Sequence, residues 1–451
     1  YLLERMFKDR IEIVVFEASD RLGGRVKSAT DLDTGVTYEA GAAEFYDIPF
    51  NSQLRALVEH LGLHTRPLVA TPYFVVGDRV VRNNQELTEL LGLRGMERLR
   101  RFWERGTALR PPEEYALAGQ ESDNGHPWLR PTFAEVLSEM DDSYCEWFTA
   151  MQCHSDLATE PANTTGLFGM DNLLIDHPGY CSMYTLTDGN GGLIKALAER
   201  VRSQVLLETP ISEIDAAENA GLRVKFQSDI GEPNELEVDG LIVTLPPRGI
   251  RMIRWRDNRL QMAVSDHVRH HDYSTDYLRV TLCCRQKAWR HQFPEDYFVS
   301  DAFGGVTVYD QSPDDGTSGV GVQSWLLAGA SAREQAGRAD SDVVKSVLAA
   351  MPTSIPLTED LIIKCFVDRW TGMAGVSAKP GGVPLRPLSQ RHSPDPRWPQ
   401  LQFVGDYLYD STLCGALDAV VFAVDRLADD VTRRTGPALT TIVDLLGARP
   451  R

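Results

Sequence analysis

Residues 11–26 read IEIVVFEASDRLGGRV, and the fold depends on how that stretch is taken. From Ile11 to Phe16 the chain is mostly β-branched and apolar, the pattern of a strand buried on both faces of a parallel sheet. Glu17 closes the strand, and Gly23 and Gly24 follow between Arg21 and Arg25. An acid at a strand's carboxyl end, ahead of a glycine pair, is the second half of a dinucleotide-binding unit, where the acid meets a ribose. In a complete unit a first strand and a Gly-rich turn stand about twenty residues before that acid. Residues 1–10, YLLERMFKDR, read as the tail of the intervening helix. The phosphate-cradling turn is not in this chain.

Outward from that stretch, NSQLRALVEHLGL (51–63) carries Leu54, Leu57, Val58 and Leu61 on one helical face, with Gly62 as its stop. From about 72 to 183 helical segments and polar loops take over. Within them MERLRRFWERGTALR holds five arginines among aromatic residues. It reads as an amphipathic helix with Leu99, Phe102 and Trp103 inward and its arginines snorkelling, in preference to a nucleic-acid surface. A second α/β block starts at Thr187 with TDGNGGLIKALAERV, then VLLETPISEID and GLIVTLP. Strand-like runs dominate from about 252 to 370, including DYLRVTLCCR, GGVTVYD and LIIKCFVDRW, with SDVVKSVLAAM as their one helix. LQFVGDYLYDSTLCGALDAVVFAVD then gives strand, loop and long helix.

The three α/β pieces share the texture of one doubly wound domain. The expected organisation is a discontinuous doubly wound domain of residues 1–70, 184–252 and 375–435. It is interleaved with a substrate-binding domain of 71–183 and 253–374, and 436–451 is read as a C-terminal tail.

Bulk properties narrow the function classes. The 451 residues are 43% hydrophobic and 24% charged, with a net charge of −18, which disfavours nucleic acid and anionic membrane as partners. No apolar run reaches the roughly 18 residues of a spanning helix. Seven scattered cysteines without a CxxC fit a reducing cytoplasm and offer no zinc site. His270 and His271 are read as adjacent strand residues facing opposite ways, so no metal is expected there. A homodimer is compatible with all of this.

Together FEASDRLGGRV, YEAGAAEF, DGNGGLIKAL, ETPISEI, GLIVTLPP and FVGDYLYDSTLCGALDAVVFAVD resemble the flavin-containing amine oxidase family, which includes monoamine, polyamine and L-amino acid oxidases. The resemblance implies an α/β fold in which an FAD-binding, Rossmann-like domain of the glutathione-reductase type interleaves with an α+β substrate-binding domain. It implies non-covalent FAD. Glu17 would meet the adenosine ribose, Gly23 and Gly24 would allow close approach, and Arg21 and Arg25 would neutralise the pyrophosphate. Ile211 would pair with the adenine, Asp406 after Gly405 would lie by the ribityl chain, and Leu417 would offer its N–H to the flavin. Ala18, Gly41, Ala42, Ala43 and Trp370 complete the implied cofactor set.

Departures bear on the substrate. Gly375 and Ala416 stand where the family often has two caging aromatics. Arg285 takes the place of a lysine near the flavin, with Lys287 two residues on along the same strand face. Glu44 stands where many L-amino acid oxidases have a carboxylate-binding arginine, and a carboxylate there favours a cation. The expectation is oxidation of a C–N bond to an imine by hydride transfer to the flavin. The substrate would be a larger amine or amino-acid-derived molecule of specialised metabolism, with O2 or another acceptor reoxidising the cofactor. Arg285, Lys287 and Glu44 are the catalytic candidates. A C–C desaturase or a scaffold without catalysis are the competing readings.

Overall fold

Strand alternation organises the largest element. In Tyr277–Cys284 the even-numbered Leu278, Val280, Leu282 and Cys284 pack with Trp289, Phe298, Val308 and Trp325 in one apolar core. Each such side chain contributes about 1.5–3 kcal/mol on burial. The odd-numbered Tyr277, Arg279, Thr281 and Cys283 therefore lie on the opposite face. This strand belongs to a seven-stranded sheet that also contains Ile362–Trp370, Gly321–Ala328, Val306–Asp310, Tyr297–Ser300, Phe74–Val76 and Arg79–Val81. Helix Asp340–Ala349 covers the even face through Val343 and Val347. Helix Ser143–Leu157 covers part of the other, where Phe148 and Met151 meet Phe74 and Val299.

The computed structural model describes residues 1–69, 73–177, 179–217, 221–227, 233–313, 319–372, 376–377 and 385–446. Gly375, one of the two supposed cage positions, lies outside them.

Two parallel strand pairs form the other half of the frame: Val14–Phe16 with Gln204–Leu206, and Leu241–Val243 with Leu401–Phe403. The opening strand is shorter than the apolar run predicts. It is only half-buried, because among the described residues it has a strand neighbour on one edge alone. Helices Gln53–His60, Gly191–Ala198 and Leu413–Thr435 share one core through Leu57, Val58, Leu193, Val421 and Val424. Gly62 adopts φ 70°, the left-handed stop the sequence indicated.

Two expectations are corrected and a third holds. His270 and His271 end a helix, Asn258–His271, whose Leu260, Val264 and Val268 are buried at helical spacing. The 436–451 segment is not all tail. Its Ile442–Leu446 turn buries Ile442, Leu445 and Leu446 in the same core as helix Gln53–His60. The arginine-rich stretch is helical within Asn84–Leu109, with Leu99 and Phe102 buried. Its Arg98, Arg100, Arg101 and Arg105 pair with Asp141, Glu97, Glu104 and Glu139.

Candidate active site

At the nucleotide end, Glu17 is fixed by its backbone, donating to the Leu206 carbonyl and accepting from Thr209 N–H, both at 2.9 Å. One carboxylate oxygen accepts from the Ser19 N–H at 2.8 Å and the Ser19 hydroxyl at 2.7 Å. Ala18 is exposed beside it. Gly23 has φ 105°, and a Cβ there would sit 2.8 Å from the Val26 carbonyl oxygen. Gly24 borders open space instead. Arg21 donates to the carbonyls of Leu22 at 3.2 Å and Gly24 at 2.6 Å, so it shapes this turn from within. Arg25 pairs with Asp406 at 2.7 Å and links the glycine turn to the segment after the Leu401–Phe403 strand. Burial works against the guanidinium charge, but Asp406 more than compensates and holds Arg25 ionised. Ile211 opens its strand. Leu417 is buried in the second turn of Leu413–Thr435, where backbone N–H groups have intrahelical acceptors.

The next piece is the turn Ala40–Glu44. Ala40 and Gly41 donate to the Lys27 carbonyl and Ala42 to that of Arg25. A Cβ on Gly41 would lie 2.0 Å from the Arg25 carbonyl oxygen, so only glycine fits. The Trp370 indole N–H donates to the Ala40 carbonyl at 2.7 Å, and Asn190 Nδ2 to that of Ala42 at 2.9 Å. Buried Glu39 organises the helix start behind them. It accepts from Asn190 N–H and the Ser28 hydroxyl, both at 2.8 Å, while Ser28 Oγ accepts from Gly191 N–H. Burial raises the Glu39 carboxyl to about 7 against these favourable bonds. The DGNGG motif thus positions the Ala42 carbonyl through Asn190.

Beyond Ala43 the chain meets a cluster of acids and tyrosines, here called the chamber, on the odd face of the large sheet. Ala43 packs with Tyr297, Tyr309 and Leu326. Tyr46 donates its hydroxyl to Glu44 at 2.8 Å, and Tyr297 donates to Asp176 at 3.3 Å. Asp156, from the last turn of Ser143–Leu157, is their neighbour. Burial pushes Asp176 up to about 6, opposed by the Tyr297 bond and reinforced by the Glu44 charge. Burial and the charges of Asp176 and Glu44 push Asp156 well above the carboxylate range. Asp176 nonetheless keeps an exposed surface. Arg279, 3% exposed, lies over the Tyr309 ring with its centroid at 5.5 Å and its Nε without a partner.

Arg285 and Lys287 share a strand-face parity with Arg279 but stand elsewhere. Arg285 is exposed past the strand's end and donates to the Asp360 carbonyl at 3.4 Å, while Lys287 donates to the Pro313 carbonyl at 2.9 Å. Six residues of strand separate Arg279 from Arg285, about 20 Å. The basic side chain beside Tyr277 and Tyr309 is thus Arg279, which the sequence reading missed along with Glu39, Asn190, Asp156 and Asp176. Alternation gave the right face; the register that brings Tyr277–Arg279 to the Ala40–Glu44 turn is a tertiary fact.

A separate cleft, partly open to solvent, is lined by Tyr115, Phe168, Asp171, His271 and Tyr407. Asp123 and Asp171 there are already bound to Arg110, at 2.7 and 2.9 Å. The chamber, whose carboxylates lack such counter-ions, is the better candidate for chemistry.

The residues present fit a bound flavin dinucleotide. Open ground lies beside Gly24, Arg25 offers a fixed cation, and Glu44 Oε2, Arg279 Nε and Asp368 Oδ2 are buried without partners around the Ala40–Glu44 turn. A parallel strand with a terminal acid, a glycine turn and a cluster of acids and tyrosines beyond them fit the class of nucleotide-cofactor oxidoreductases. The chain belongs to the flavin containing amine oxidoreductase family, matched over residues 3–428, and is an FAD-dependent oxidoreductase. Among solved structures it is similar to cyclohexylamine oxidase from Brevibacterium oxydans IH-35A, with TM-score 0.73 at 17% identity over 96% of both chains. It is also similar to wild-type putrescine oxidase bound to putrescine, with TM-score 0.70 at 17% identity over 93% of both chains. At these identities the likeness speaks for the fold. A search of curated proteins finds no match. Among the described residues no group of acids, histidines or cysteines has the arrangement of a metal site, and no helix is long and apolar enough to cross a membrane.

Proposed function

We propose that the enzyme oxidises the C–N bond of a small-molecule amine to an imine, with FAD held non-covalently. The carrying observation is the chamber itself: Glu44, Asp156 and Asp176 converge there just past the Ala42–Ala43 turn, ringed by tyrosines. Carboxylates without counter-ions suit a cationic substrate and serve the neutral substrate of a C–C desaturase poorly. When bound, FAD supplies the two-electron acceptor for the hydride lost from the carbon bearing nitrogen. Protein groups do the rest. Glu17 and Gly24 receive the adenosine end, Arg25 with Asp406 the pyrophosphate and ribityl region, and Ile211 the adenine. The Ala40–Ala43 turn, braced by Trp370 and Asn190, fixes the reactive end, and Arg279 offers the cation beside it. The Glu44 carboxylate faces the amine. In this reading residues 1–70, 184–252 and 375–435 form the cofactor domain and 71–183 with 253–374 the substrate domain. O2 or another acceptor completes the cycle. The test is anaerobic titration of the FAD-loaded enzyme with a panel of amines, trapping the imine product. Bleaching of the flavin bands is expected; a panel in which no amine bleaches them overturns the proposal.

A further inference from the structure

Asn190 joins the DGNGG motif to the Ala40–Glu44 turn and is completely buried. The orientation of its amide follows from its partners. The Leu186 N–H can only donate, so the atom that meets it at 3.0 Å is Oδ1, which also accepts from the Thr185 hydroxyl at 2.9 Å. The Ala42 carbonyl can only accept, so the atom that meets it at 2.9 Å is Nδ2. One half of the amide therefore anchors Asn190 to the end of strand Ser182–Leu186, and the other half reaches across to the turn. The backbone N–H of Asn190 is fixed as well, donating to Glu39 at 2.8 Å.

Most of the turn is paired. Ala40 donates to the Lys27 carbonyl at 2.9 Å, Gly41 to the same carbonyl at 3.0 Å, and Ala42 to that of Arg25 at 3.0 Å. The Ala40 carbonyl accepts from the Trp370 indole at 2.7 Å. Ala43 is the exception. It is 4% exposed, and its N–H has no acceptor among the described residues. A buried backbone N–H is nearly always paired, so this one marks a place where a bound molecule supplies the acceptor. The Ala42–Ala43 peptide is trans, and in a trans peptide the C=O and the N–H point in opposite directions. By holding the Ala42 carbonyl on its own side, Asn190 turns the Ala43 N–H to the other.

We propose that Asn190 is a positioning residue for the oxidation: it aims the Ala43 N–H as a hydrogen-bond donor at the reacting end of bound FAD. The inference rests on the reading above, in which the Ala40–Ala43 turn meets that end. A donor held in place beforehand stabilises the negative charge that arrives with the electrons, with no reorganisation at the moment of reaction. Asn190 acts only through the peptide it holds.

The experiment measures the midpoint potential of the FAD-loaded enzyme and its FAD dissociation constant, neither of which needs a substrate. Asn190→Leu removes the bond to Ala42 without adding charge, with Asn190→Ala in its place if the leucine variant fails to fold. Asn190→Asp removes the same bond and keeps the acceptor for Leu186 and Thr185. Thr185→Val removes a bond from the other half of the amide. Circular dichroism and gel filtration report folding. All the Asn190 variants are expected to lower the potential by about 30 mV, the two-electron equivalent of a tenfold change in the reduction equilibrium. They should also weaken FAD binding and slow amine-driven bleaching by at least about tenfold. Thr185→Val should move the potential by less than half as much. An unmoved potential in the folded, uncharged variant overturns the inference. A lowering confined to Asn190→Asp also overturns it, because that reports added charge. An equal lowering in Thr185→Val does the same, because that reports loosened packing. A panel in which no amine bleaches the flavin overturns the amine reading alone, since the potentials are measured without one.

Discussion

Glu39 shows how one buried group can hold a site together while making it sensitive to pH. Its carboxyl stands at about 7 in the fold, against an ordinary 4.5, chiefly through burial. A folded pKa above the unfolded one means that the folded state binds the proton more tightly. The stabilisation is full below about pH 4.5 and is lost as pH rises through about 7, amounting to roughly 3 kcal/mol at 1.36 kcal/mol per unit. Glu39→Gln removes this titration. Thermal unfolding between about pH 5 and pH 8 should show a falling Tm in the parent and a flatter profile in the variant. Parallel profiles would show that Glu39 does not titrate in this range. None of this was legible from YEAGAAEF, where Glu39 looks like any acid at a strand end. What buries it is the DGNGG segment, whose Asn190 stands 151 positions away in sequence.

At the scale of elements, periodicity carried most of the organisation and register carried the rest. The Gln53–His60 helix and its glycine stop, the Asp340–Ala349 helix and the strands Tyr277–Cys284, Val306–Asp310 and Ile362–Trp370 follow from apolar spacing, whereas Phe74–Val76 and Arg79–Val81 fall in a stretch read as helices and loops. The Asn258–His271 helix was missed because its polar residues hide a stripe of only a few aliphatics. The candidate site was legible at the nucleotide end, where glycines and charges cluster within one stretch. In the chamber only Glu44 was singled out; Asp156 and Asp176 come from helix ends that no local pattern distinguishes. The Tyr277–Cys284 strand makes the point testable. Arg279 and Arg285 share a face, but only Arg279 is buried beside the Ala40–Glu44 turn, near Glu39 and Tyr309. Arg279→Met should slow amine-driven bleaching of the flavin by at least about tenfold, since a preorganised charge at such a site carries effects of that size. Arg285→Met should leave the rate within about twofold, as expected of an exposed surface residue. Stopped-flow absorbance on both variants decides, and the reverse order would return Arg285 to the site.

For the whole molecule, acid tolerance is set by histidines buried beneath the cofactor frame. His267, wholly buried, stacks on Phe403 with ring centroids 4.5 Å apart, and neither ring nitrogen has a partner. His392 bonds the Phe403 carbonyl at 3.0 Å and the Tyr409 hydroxyl at 3.2 Å, and stacks on Phe422. Burial depresses both to about 3 and lowers His271 well below its usual range. An unfolded chain takes up these protons first. Stability is therefore whole above about pH 6.5 and drains as pH falls toward about 3, by several kcal/mol per histidine. Glu39 pulls the other way, but its gain is complete by about pH 4, leaving the histidines to act below it. Since these rings brace Phe403, Tyr407 and Tyr409 around Asp406, acid should release FAD in the same transition that unfolds the chain. His267→Phe keeps the ring stack and removes two unpaired polar atoms and one titrating group. It should shift the acid-unfolding midpoint downward while changing stability at about pH 8 by no more than about 1 kcal/mol. Far-UV circular dichroism and flavin fluorescence, followed together through an acid titration, give both quantities. An unmoved midpoint in a folded variant would place the acid-labile group elsewhere in the molecule.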